Sequence, residues 1–358
     1  MIIKILYVLI VALLLACSNA KEPVSNPRSE DSVEVRLNEE VEIIGLLYHR
    51  FNESKYPSTS ISKELFRQQL SYLKKNQFEV LNFSDAISKL RSKNGQGRYI
   101  VITIDDAFNS FMEHGFPLLK EFGFPATLFI NTETVGSGDY LSWSDLEILA
   151  KNNIEIGNHT HTHDYFLDLD KDSRHKAFFE DVQLAQELIK SNLNFNPSVF
   201  AFPYGEFDEG MIEVVKKMGF IGAAAQNSGV MSVYSDLFAL PRFPMTDYYG
   251  KMELFTEKIS MKALPVIRTI PSSTISQVNP PVLKILLGHD ELDFNQLQCF
   301  IQGGNCNITQ SGNDPYTIQI SSDQKLGSRR HLYTVTVPGK DNSQWYWYSH
   351  QWVFSAIK

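Results

Sequence analysis

Positive charge gathers nowhere along this chain. Lys and Arg together number 33 against 41 Asp and Glu, for a formal charge of −8. Without a basic cluster there is no electrostatic footprint for a nucleic-acid partner. Cysteine is scarce as well, with Cys17, Cys299 and Cys306 the only three. Long apolar runs are also missing: the longest, Ile5–Ala16, is too short to span a bilayer as a mature helix. Preceded by Lys4, it reads as a secretory signal peptide over residues 1–16.

What is present is an ordinary globular composition, 43% hydrophobic and 21% charged over 358 residues, enough for one large domain plus a small one. Tyr99-Ile-Val-Ile-Thr-Ile104 reads as a fully buried strand, and Asp105 and Asp106 sit where it runs out. The C-terminal ends of parallel strands are where α/β folds do chemistry. Two adjacent carboxylates repel, and keeping both ionised calls for a cation; the plainer alternative is one helix cap and one solvated acid. A second strand, Ile154-Glu-Ile, ends at Gly157 and runs into Asn158-His159-Thr-His161-Thr-His163. Neutral imidazole is the commonest metal ligand. An extended segment turns all three His the same way; a helical turn pairs His159 with His163 and sends His161 elsewhere. The glycine and the polar threonines favour the helical turn.

Thr103-Ile-Asp-Asp followed by His159-Thr-His-Thr-His163 resembles the first two motifs of the NodB-homology polysaccharide deacetylases, carbohydrate esterase family 4. Ile104 and Ala107 replace the usual Phe and Gly. Tyr48-His-Arg50 and Tyr56-Pro-Ser-Thr59 are similar to the opening of the poly-N-acetylglucosamine deacetylase branch, whose motif order is circularly permuted. The resemblance implies an α/β fold, a distorted (β/α)7-type barrel over residues 37–265. It implies metal ligation by Asp106, His159 and His163, a general base at Asp105 and a general acid at His49. The expected metal is Zn2+, with Ni2+ or Co2+ as alternatives. Val199-Phe-Ala-Phe-Pro-Tyr-Gly205 matches the third motif, with Ala201 where many members have Arg. Pro203 has no N–H, which leaves the Tyr204 N–H as the oxyanion donor. Arg242 supplies the charge that Ala201 lacks, or else makes a surface ion pair.

The implied activity is hydrolysis of acetamide groups on an N-acetylglucosamine polysaccharide at the cell envelope. Two alternatives stay open: an O-acetyl esterase or peptidoglycan deacetylase on the same scaffold, and a non-catalytic carbohydrate-binding lipoprotein. Leu14-Leu-Ala-Cys17 resembles a bacterial lipobox, making Cys17 the lipid anchor. Residues 17–36 then form a flexible tether, and Ser18 favours outer-membrane sorting in a Gram-negative host. In an exported chain Cys299 and Cys306 are expected to form a disulfide, worth about 2 to 3 kcal/mol.

Pro265, Pro271, Pro280 and Pro281 punctuate a linker over 266–280. A small all-β domain is expected over 281–358, from alternating segments at Thr317–Ser321, His331–Val337 and Gln344–Phe354. In the last of these Trp345 and Trp347 share one face; Tyr346, Tyr348, His350 and Trp352 share the other. Such faces can stack on sugars, but a small β domain needs a core, and most of these aromatics read as core. His289-Asp290-Glu291 reads as solvated loop.

Overall fold

A computed structural model describes residues 41–92, 97–288, 291–312 and 316–355. The expected signal peptide (1–16), Cys17 and the expected tether (17–36) lie outside the described residues, as do His289 and Asp290. Among the described residues no helix is long and apolar enough to cross a membrane. The described residues make one compact unit.

The organising element is a nine-stranded sheet. Val41–Tyr48 pairs in parallel with Gly97–Asp105, which is followed outward by Ala126–Ile130, Ile154–Asn158, Val199–Ala201 and Gly222–Ala224. Buried apolar residues of β-branched and aromatic type fill these strands, as expected where both faces are covered. The sheet curls. Leu240 bridges to Ala224 at one edge, and Phe243–Pro244 pairs with Leu46 and Leu47 at the other, so a single segment joins the two edges. Inside the curl Val41, Ile43, Val101, Phe129, Val199 and Leu240 share one core. Ile100, Ile102 and Ile104 face the opposite way, against the helices Lys63–Lys75 and Phe116–Phe122. The strand pleat therefore turns Thr103 and Asp105 inward, both fully buried.

The helix Phe83–Ser92 precedes the strand Gly97–Asp105, and a π-turn, Phe111–Gly115, leads into the helix Phe116–Phe122 after it. Ser142 caps the Trp143–Ala150 helix through a capping box with Asp145.

The C-terminal region is two four-stranded sheets enclosing their own core. The stretch 266–280 is not a bare linker: Val266–Ile270 is a strand paired with Val282–Leu287. Backbone amides there find partners in the sandwich sheet, which its prolines at 265 and 271 flank without interrupting. Lys262–Ala263 likewise pairs with Tyr346–Trp347, so the sandwich begins before residue 281. Cys299 and Cys306 form a disulfide. In the last strand, Trp345–Val353, Tyr346 and Trp352 belong to the sandwich core. Trp345 and Trp347 pack against the barrel's outer core.

Candidate active site

Asp105, at the end of its strand, has no solvent exposure, and neither has Arg242. The guanidinium grips both carboxylate oxygens, at 2.7 and 2.8 Å, and also donates to the Thr103 hydroxyl and to the Ala225 carbonyl. Arg242 is thus a buried partner of Asp105 and not a surface pair. Burial alone would push the Asp105 carboxyl up, but the charge and hydrogen bonds of Arg242 together with His159 hold it down at about 2. It is an anion throughout the neutral range.

Asp106 follows with φ +75° and Ala107 with φ +60°, so the chain turns sharply and carries the second carboxylate out of the curl. This turn is where the resembled motif has Gly. Ala tolerates the left-handed region only at some cost. Among the described residues, five of the ten non-glycine residues with positive φ border this site: Asp106, Ala107, Thr160, His163 and Tyr204. Backbone strain of this kind concentrates where geometry serves function.

Asp106, His159 and His163 converge. One Asp106 oxygen lies 3.6 Å from His159 Nε2 and 3.4 Å from His163 Nε2, and the two Nε2 atoms are 3.2 Å apart. Donors at about 2.0–2.1 Å from one tetrahedral ion would stand about 3.3 Å from one another, so the spacing fits a shared cation. His159 Nδ1 is 2.7 Å from the Ala201 carbonyl; it donates there, leaving the Nε2 lone pair free to coordinate. Burial makes both imidazoles harder to protonate, with His163 pushed down to about 3. Burial and the neighbouring Asp105 charge raise Asp106 to about 7. Two neutral imidazoles and one carboxyl that ionises when given a cation make a chemically apt donor set.

The segment after Asn158 is not helical, contrary to the turn expected from sequence. His159 continues the strand direction, its N–H bonded to Ile130; Thr160 (φ +70°) and His163 (φ +57°) then fold the chain back. The Thr160 hydroxyl accepts from His163 N–H. Asp181, on the Arg174–Leu193 helix, accepts from the His161 and Thr162 N–H groups and the Thr162 hydroxyl. The pairing of His159 with His163 survives, and His161 turns away to Thr132 at 2.8 Å. A distant acid, not local periodicity, shapes the loop, and nothing near residue 160 in the sequence signals Asp181.

His49 stands just past its strand, close enough for the charges of Asp105, Arg242 and His163 to act on it; burial lowers it to about 4. Tyr204 lies in a tight turn with φ +59°. Its ring meets His163 edge-on at 4.5 Å and stacks on Tyr165 at 4.0 Å. Across the site Arg50 lies 3.5 Å over the Phe108 ring and 4.0 Å over Tyr56. The third motif points to the Tyr204 N–H and carries no sign of its ring, and Tyr165 has no sequence signal beyond its position two residues after His163.

A curled α/β sheet with a buried Asp–Arg pair and an Asp–His–His cluster at its strand tips has the NodB-like fold. Residues 92–223 match the family model for polysaccharide deacetylase. The chain is 24% identical over 213 residues to a poly-beta-1,6-N-acetyl-D-glucosamine N-deacetylase of Staphylococcus aureus, covering 56% of this chain and 73% of that one. The fold is shared with the Streptococcus pyogenes deacetylase PplD in complex with acetate (TM-score 0.57, 18% identity, 62% of this chain and 99% of the other). It is also shared with IcaB from Ammonifex degensii (TM-score 0.53, 21% identity, 63% and 99%).

Proposed function

We propose that this chain is a metal-dependent N-deacetylase that hydrolyses acetamide groups of an N-acetylglucosamine polysaccharide. The observation carrying the reading is the triangle of Asp106, His159 and His163 beside an Asp105 that is ionised, buried and held by Arg242. The three converging residues would hold a divalent ion, Zn2+ in the first instance, which supplies Lewis acidity and lowers the pKa of water towards neutrality.

The remaining work falls to the chain itself. Asp105 takes a proton from the attacking water; Arg242 occupies one side of each carboxylate oxygen and leaves lone pairs on the other. The Tyr204 N–H faces the developing oxyanion. His49 rests neutral, so the proton that Asp105 takes from water passes to it in the course of the reaction and goes on to the departing amine, because an amine leaves poorly as an anion. The cell envelope as the place of action rests on the Ile5–Ala16 run and on Cys17 as a lipid anchor; Cys17→Ala is expected to free the protein from the membrane fraction.

The test is acetate release from β-1,6 and β-1,4 N-acetylglucosamine oligomers, with and without chelator. Chelator-sensitive release with a β-1,6 preference supports the reading. Oligomer binding without release points instead to a carbohydrate-binding protein. Asp105→Asn and His49→Ala are each expected to abolish turnover while the metal still binds; normal turnover in either removes the role given to that residue.

A further inference from the structure

The C-terminal sandwich reaches into the active site. Arg329 spends its whole guanidinium on two acids: Nε and one terminal nitrogen donate to the two oxygens of Glu206 at 2.8 and 2.7 Å, and the other nitrogen donates to Asp168 at 2.8 Å. Its charge also lies 4.5 Å over the Tyr165 ring. Glu206, 4% exposed, closes the turn that carries Tyr204. Asp168 closes the segment that carries His163 and Tyr165. Arg330 donates to the Tyr204 carbonyl at 3.0 Å, and Gln351 donates to the Gly205 carbonyl at 3.0 Å. The two tied segments meet in the Tyr165–Tyr204–His163 ring contacts.

We infer that Arg329, Arg330 and Gln351 are positioning residues for the active site, which makes the sandwich part of the catalytic unit and not a separable module. Tyr204 sits in the left-handed region, where a non-glycine residue stays only if its surroundings over-determine it; the hydrogen bonds from Arg330 and Gln351 supply that constraint. Arg329 fixes the spacing between the two segments with a planar fork that an ammonium cannot reproduce. Through Tyr204 the same clamp presses on the His163 ring, whose orientation decides whether its Nε2 meets Asp106 and His159. Groups that orient a ligand from outside the donor set are commonly worth 10–100-fold in metal affinity.

The kinetic arm of the test rests on the deacetylase reading, whereas the metal arm does not. Full-length wild type, Arg329→Lys, Arg329→Ala, Arg330→Ala and Gln351→Leu are compared for thermal unfolding, for Co2+ affinity by chelator competition, and for kcat and KM on β-1,6 oligomers. A control, Tyr333→Phe, removes a sandwich hydroxyl that bonds Pro281 and Ser322 away from the site. Arg329→Lys and Gln351→Leu are expected to stay folded, bind Co2+ about 10-fold more weakly and lose kcat with KM little changed, while Tyr333→Phe keeps both. If Arg329→Ala does not fold, the Lys and Gln351 variants carry the decision. Wild-type Co2+ affinity and kcat in folded Arg329→Lys and Gln351→Leu overturn the inference. So do equal losses in Tyr333→Phe, or a wild type that takes up no Co2+. A wild type that binds Co2+ but releases no acetate sinks the deacetylase reading and leaves the positioning role to be judged on metal affinity.

Discussion

Asp105 and Arg242 are opposite charges with no access to water, and such a pair is costly to build and costlier to break. Removing one partner strands the other in the interior, a loss of about 3–5 kcal/mol, whereas replacing both by well-packed apolar groups of similar volume is often close to neutral. Arg242→Met is therefore expected to lower the unfolding free energy by about 3–5 kcal/mol, and Arg242→Met with Asp105→Leu to recover most of it. Denaturant titration of both variants checks this, and a double variant as unstable as the single one contradicts it. The buried histidines set the pH response. His49, His163 and His350 all sit below their ordinary 6.5, at about 4, 3 and 4, chiefly through burial. Between those values and 6.5 the unfolded chain binds more protons, so their stabilisation is complete above pH 6.5 and lost as pH falls. Asp106, raised to about 7, has the opposite sign: the metal-free fold holds an extra proton between about 4 and 7 and loses stability as pH rises through that window. Three imidazoles outweigh one carboxyl, so the denaturant midpoint of the metal-free protein should drop between pH 7 and 5; a rise on acidification would overturn this sign. At this scale the sequence was most legible where chemistry sits in short motifs. Asp105, Asp106, His159 and His163 stand out as candidates on reading along the chain, and three of them, Asp106, His159 and His163, converge in the fold. Arg242 could be offered only as one of two options, because its partner lies 137 positions away and the pairing exists only once the sheet has curled.

At the scale of single elements, strand positions followed from apolar runs, but the shape of the loop between His159 and His163 did not. A helical turn was a fair inference from spacing; Asp181 overrides it by collecting two backbone N–H groups and a hydroxyl from a helix that comes later in the chain. Asp181→Ala leaves those donors without an acceptor and frees the loop. We expect Co2+ affinity to fall about 10-fold with Asp106 and both histidines intact, measured by chelator competition; unchanged affinity would mean that the loop holds its shape unaided. The strand leading into the loop is constrained in another way. A Cβ at Gly157 would collide with the Phe129 ring and press on Val199 at 3.2 Å, since the interior of the curl has no spare room at that level. Gly157→Ala is expected to cost about 1–3 kcal/mol through overpacking, read from the shift in denaturant midpoint.

For the molecule as a whole, the expected division into barrel, linker and separate β domain followed from prolines and from a change in hydrophobic period. Those signals report local backbone and say nothing about which surfaces meet. The alternation of the last strand was legible, and its even-numbered aromatics fill the sandwich core as such residues should. The odd-numbered face had no visible partner in the sequence, and that partner is the barrel. Trp345 and Trp347 pack against the barrel's outer core, Trp347 meeting Phe243 at 5.4 Å and donating to the Ser228 carbonyl at 3.1 Å. Ser349 hydrogen-bonds Ser228, and Gln351 reaches the Tyr204 turn. Lys262–Ala263, just past the last barrel helix, pairs within the sandwich sheet. Burial shared in this way couples two cores thermodynamically, because neither can lose its structure without exposing apolar surface of the other. Calorimetry of the full chain should therefore give one cooperative transition, and Trp347→Ala, by opening the shared surface, should lower its midpoint while keeping it single, at a cost of about 2–3 kcal/mol, below the 3–5 of a fully buried Trp. Two resolved transitions in the wild type, with the upper one unmoved by Trp347→Ala, would mean that barrel and sandwich fold independently and that the contact between them carries no stability.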